Sequence, residues 1–191
     1  MDFVLDLLQG VGLAAAIGVR PWLPMLLAGV FAAANFGVDF EGTDFAFLES
    51  VPVLVALAVL FVLGIVVERR YREPGPAIVY AVMAALLGAV EASASLADRG
   101  HSIIPGVVLG AAAGVLGYAA TRTLLTRVRR RLDTEAASAL PFYAEGFALV
   151  AAAASLLFPP LAVLVIGALA WLLAGGRRRE GEKYAGLRVL R

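Results

Sequence analysis

The stretch PAIVYAVMAALLGAVEASASL, Pro76 to Leu96, runs for 21 residues and contains one charge, Glu91. A helix needs roughly 20 mostly apolar residues to cross about 30 Å of hydrocarbon, so this run can span a bilayer by itself. A strand of a membrane barrel would alternate apolar and polar side chains over about ten positions. Here apolar residues follow one another without alternation, which selects a helix.

Outward from this stretch the same signal recurs at Phe3 to Val19, Trp22 to Phe36, Val51 to Val67, Ile103 to Leu125, Leu140 to Leu157 and Pro160 to Gly175. Over all 191 residues the chain is 61% hydrophobic and 16% charged, more apolar surface than one soluble core of that length can bury. The sequence therefore predicts an all-α polytopic membrane protein of about seven transmembrane helices. Residues 1–176 form the transmembrane domain and 177–191 a basic cytoplasmic tail. Pro52, Pro76, Pro105, Pro141 and Pro160 are each expected at or near the first turn of a helix, where a missing N–H costs nothing.

Charge sets the orientation. Basic residues gather at Arg69, Arg70 and Arg72, from Arg122 to Arg131, and from Arg177 onward. If these face the cytoplasm, as the positive-inside bias requires, seven crossings put the N-terminus outside and the C-terminus inside. The loops on the other side agree: VDFEGTDFAFLES (Val38 to Ser50) has no basic residue and LADRGHSIIP (Leu96 to Pro105) has only Arg99. The first two segments are short and could instead form a re-entrant hairpin without reversing any other helix. MDFVLDLLQG lacks the basic region and cleavage site of a signal peptide, so the first helix is expected to remain in the mature chain. Arginine far outnumbers lysine and alanine, glycine and valine dominate, a coding bias that points to the plasma membrane of a prokaryote. The tail is basic enough either to lie on an anionic inner leaflet or simply to stop transfer.

A repeat is also legible. GVGLAAAIGV from Gly10 and GVVLGAAAGV from Gly106 share seven of ten positions. LPMLLAG at Leu23 and LPFYAEG at Leu140 share Leu-Pro and a later glycine, and Pro52 and Pro160 each precede Arg-Arg by seventeen residues. The order predicts a parallel repeat of helices one to three and five to seven, with helix four as the inverting linker.

Ionisable groups inside apolar runs are the candidate site residues. Arg20 lies in the turn between helices one and two. It could snorkel beside Trp22, pair with Glu145 of helix six at a similar depth, or bind an anionic group together with nearby helix N-termini. Glu91 lies about two turns inside helix four, as a proton carrier or cation ligand, or else as a solvated group in an outer vestibule. Asp6 and Gln9 share its depth and could line the same cavity. Gly106, Gly110, Gly114 and Gly117 form a small-residue face suited to close helix packing. His101 is the only histidine and cysteine is absent, so no His- or Cys-based metal site is expected, and no cofactor. No nucleophile and base, phosphate loop or dinucleotide motif is present, which argues against an enzyme, and nothing resembles a nucleic-acid surface.

GLAAAIGVRPWLPMLL and the terminal KYAGLRVLR resemble the uncharacterised bacterial integral-membrane family grouped as domain of unknown function 4126. The distinctive core is Gly18, Arg20, Pro21, Trp22 and Pro24. The resemblance implies that Arg20 belongs to the fold or mechanism, and it carries no activity with it. The expected function is a channel or transporter for a small ion or solute, working as a homo-oligomer in contact with membrane lipid. The alternative is a non-transporting scaffold or lipid-contacting accessory protein.

Overall fold

The computed structural model describes residues 2–70 and 76–185, leaving aside the side chains of residues 2, 68, 69, 134 and 176–185. Arg72, Arg188 and Arg191, counted above among the basic clusters, lie outside the described residues. The described chain is all helical: α1 (Asp2–Val19), α2 (Trp22–Ala33), a short 3-10 helix (Ala46–Glu49), α3 (Val51–Arg70), α4 (Ala77–Ala97), α5 (Ile104–Arg129), α6 (Thr134–Leu157) and α7 (Leu161–Ala185). Three stretches, Ala77–Ala97, Ile104–Arg129 and Glu135–Leu157, are long and apolar enough to cross a membrane. The apolar parts of α1, α2, α3 and α7 are shorter.

The helices form where the sequence placed them, with α2 ending at Ala33, α3 at Arg70 and α5 at Arg129, and with three larger differences. α6 begins at Thr134 rather than Leu140, because the Asp133 carboxylate accepts the Ala136 N–H at 2.8 Å and caps the helix. Pro141 is consequently inside α6, not in its first turn. Its ring leaves the Ala137 carbonyl without the usual i+4 donor. α7 runs unbroken past residue 176 to Ala185.

α1 is the axis of the bundle. Leu13, Ala14, Ala15, Ala16 and Ile17 are fully buried, and α2, α4, α5, α6 and α7 all pack around them. A helix can be surrounded this way only if its side chains are small, and the run AAA at Ala14 to Ala16 meets that need. Contacts between backbones do the rest. A Cβ on Gly18 would collide with the Gly114 carbonyl, one on Gly114 with the Ala84 carbonyl, and one on Gly88 would fall 2.6 Å from the Gly110 carbonyl. α1 and α5 therefore run parallel, each antiparallel to α4.

The acidic loop before α3 packs inward. Phe40 is fully buried beside Val38 and Leu48 in the cluster that includes Leu13, Ile17 and Met25. The loop is held by the Phe40 N–H on the Glu49 carboxylate (3.2 Å) and the Thr43 hydroxyl on the Phe40 carbonyl (2.8 Å). α3 stands at the edge, packed chiefly on α2 and the 3-10 helix, with Val51, Val55, Val59, Val62 and Val66 exposed.

Replacing Gly114 by Val forces a branched side chain against the Ala84 backbone. The expected loss of stability is about 2 kcal/mol or more. Gly167→Ala, where a Cβ meets nothing within 4 Å, should change stability by less than about 1 kcal/mol. Thermal unfolding in detergent compares the two.

Candidate functional site

α1 ends at Val19, and the Arg20 N–H closes its last hydrogen bond on the Ala16 carbonyl at 3.0 Å. Pro21 has no N–H to continue the ladder, so the chain turns and α2 starts at Trp22. Pro24 removes a second donor within the first turn of α2. The negative end of the α1 dipole and the positive end of the α2 dipole thus meet at one point. Arg20 lies at that point, with its Nε 3.7 Å from Glu145 Oε1; the side chains are 13% and 17% exposed. The pair with Glu145, one of the three arrangements open to Arg20, is present. Trp22 packs on α3, its indole 3.4 Å from where a Gly64 Cβ would stand.

The packing register gives the level of this pair within the bundle. Gly18 meets Gly114, and Gly114 meets Ala84, seven residues inside the start of α4 at Ala77. At 1.5 Å per residue that is about 10 Å. Arg20, two residues beyond Gly18, is therefore about 7 Å short of the α4 terminus, while α5 continues to Arg129. The α1–α2 turn therefore lies inside the length of the bundle.

Glu91 is 1% exposed, and its Oε1 has no hydrogen-bond partner. The solvated-vestibule reading of this carboxyl is excluded in this structure. Among the described residues no ion pair reaches Glu91, and Ser95 donates to the Glu91 backbone carbonyl at 3.1 Å rather than to the carboxyl.

Asp6 and Gln9 make no hydrogen bond to Glu91. Asp6 pairs with His101, Nε2 to Oδ2 at 3.3 Å, and the Phe3 ring stands edge-on to the imidazole at 5.2 Å. Gln9 donates to the carbonyls of Gly37 (3.1 Å) and Leu156 (3.4 Å), tying the loop after α2 to the end of α6. Beside these contacts lies an open cavity of about 230 Å³ lined by Asn35, Gly37, Val38, Asp39, Asp98 and Arg99. Burial raises the Asp98 carboxyl above its ordinary range, against the opposing pull of Arg99. Among the described residues no group of three or more His, Cys, Asp or Glu could hold a metal ion.

Two features escaped the sequence reading. The His101–Asp6 pair joins residues 95 positions apart, with no local signal. Arg127, expected to be a simple flanking charge, donates to the Thr123 carbonyl (3.2 Å) and across to the Leu172 carbonyl of α7 (3.4 Å).

Removing one member of a largely enclosed ion pair strands the other, at a cost of about 3–5 kcal/mol, whereas replacing both with apolar residues costs far less. Arg20→Met should therefore lower the unfolding midpoint in detergent sharply, and adding Glu145→Met should recover most of the loss.

No curated protein and no solved structure matches this chain. A family model described as a domain of unknown function, DUF4126, matches residues 7–179. An all-helical chain built around the Arg20 turn thus belongs to the DUF4126 family.

Proposed function

We propose that this chain is a seven-span integral membrane protein of a prokaryotic plasma membrane that moves a small ion across it. The observation that carries the reading is the combination of an Arg20–Glu145 pair inside the bundle and a Glu91 carboxyl enclosed without a partner. Burying a lone carboxylate is costly enough that such a group neutralises by taking up a proton or a cation. In membrane helices such groups mark ion pathways or proton relays. Glu91 is the exchanging group, and Arg20 with Glu145 closes the pathway at the end where basic residues gather. The two helix ends meeting at Arg20 have the form of a discontinuous membrane helix.

The N-terminus lies outside and the tail in the cytoplasm. The parallel repeat of helices one to three and five to seven is part of this reading. Its support is that α1 and α5 run side by side, with Gly10 and Gly106 both packed on Ala92. In this reading the chain works as a homo-oligomer. The close glycine packing of α1, α4 and α5 favours a second reading, a membrane scaffold whose charges serve only topology and packing.

Proton and cation flux into proteoliposomes separates the two. The wild type should exceed empty liposomes, and Glu91→Gln should return to the empty rate while keeping the same monodisperse profile in detergent. Equal rates for wild type, variant and empty liposomes would favour the scaffold.

A further inference from the structure

Ala92, Gly88 and Ala84 recur every four residues on α4, as do Gly106, Gly110 and Gly114 on α5. The next members of the two series are Tyr80 and Tyr118, and α5 adds Arg122 four residues later. A period of four exceeds 3.6, so each ridge slants across its helix, and helices packed through such ridges cross and then separate. Beyond the glycines, the two tyrosines fill the opening, their rings 6.4 Å apart and within 20° of parallel.

Arg122 sits at the mouth. Its Nη1 donates to the Tyr118 hydroxyl at 2.9 Å, and its guanidinium carbon lies 6.0 Å from the Tyr118 ring centroid. The remaining guanidinium donors face outward, and the hydroxyl keeps its own hydrogen to donate. Among the described residues no carboxylate pairs with Arg122. The register of Gly88 with Gly110 and Ala84 with Gly114 brings Arg122 level with Pro76, at the start of α4. That terminus has no acidic residue in its first turn and no side-chain cap. Inward along the same face of α5, seven and fourteen residues before Arg122, lie the exposed apolar residues Val115 and Val108.

We propose that this site binds one anionic phospholipid, with its phosphate on Arg122 and the Tyr118 hydroxyl and an acyl chain along Val115 and Val108. The inference rests on the membrane reading above and is independent of ion transport. The occupant must carry negative charge and apolar length at adjacent depths, which a phospholipid does. A positively charged headgroup would meet both Arg122 and the positive end of α4, so anionic lipids are preferred over zwitterionic ones.

The test is the unfolding midpoint of the full chain in detergent micelles titrated with phosphatidylglycerol, phosphatidylcholine or inorganic phosphate. Phosphatidylglycerol should raise the midpoint and the other two should not. Arg122→Gln should weaken the apparent affinity for phosphatidylglycerol about tenfold, and Arg131→Gln, in the exposed turn after α5, should leave it unchanged. Tyr118→Phe removes only a hydroxyl and should weaken it too; it carries the test if Arg122→Gln does not fold. Equal shifts from phosphatidylglycerol and phosphatidylcholine would overturn the proposal, as would an unaltered response in the Arg122 and Tyr118 variants. A matching shift from inorganic phosphate would overturn its lipid part. A chain that stays monodisperse without detergent would instead contradict the membrane reading itself.

Discussion

The contact on which the rest of the structure depends is backbone against backbone, where α1 meets α5 at Gly18 and Gly114 and α5 meets α4 at Gly114 and Ala84. In a lipid environment apolar side chains gain nothing by leaving the solvent, so helices associate through close packing and satisfied polar groups. Glycine and alanine allow that approach. They also let α1 lie among five neighbours, an arrangement that a helix of leucines would prevent by its bulk.

The same register has an electrostatic consequence. Because α1 is locked to α5 through Gly18, its C-terminal turn cannot slide outward to bring Arg20 to the end of the bundle. The arginine is held at a depth where a charge needs a partner, and Glu145 supplies it. Pro21 and Pro24 keep the turn from extending as helix, and Pro141 lies one turn before Glu145 within α6. Glu91 is the contrasting case, a carboxyl as enclosed as the core alanines but with no cation beside it. The charges of Arg20 and Glu145 compensate each other and that of Glu91 is uncompensated, the asymmetry on which the proposed ion exchange rests.

Much of this was legible beforehand for physical reasons. Apolar runs such as Val51 to Val67 are one-dimensional signals, and helix positions followed from them. Pro141 misled because proline at a helix start is common, while the capping carboxylate of Asp133 lay eight residues earlier in a stretch that looked like loop. Arg20 and Glu145 were nameable because the short first two segments put both at a similar depth. The exact register was not, since segment lengths do not reveal which glycine meets which carbonyl. His101 with Asp6, and Gln9 with Gly37 and Leu156, depend on loops folding back over α1 and leave no periodic trace.

With the start of α4 at the membrane interface, as the proposed membrane reading has it, the α1–α2 turn ends within the hydrocarbon. Trp22 and Trp171 are the two tryptophans of the chain, so a Trp171→Phe variant leaves Trp22 as the sole reporter beside Arg20. Its fluorescence in liposomes containing lipids with quenchers at graded acyl-chain depths measures its level directly. The account predicts strongest quenching by labels part-way down the acyl chain, matching a turn about 7 Å inside the α4 terminus. Strongest quenching by headgroup labels would put the turn at the membrane surface and contradict the account.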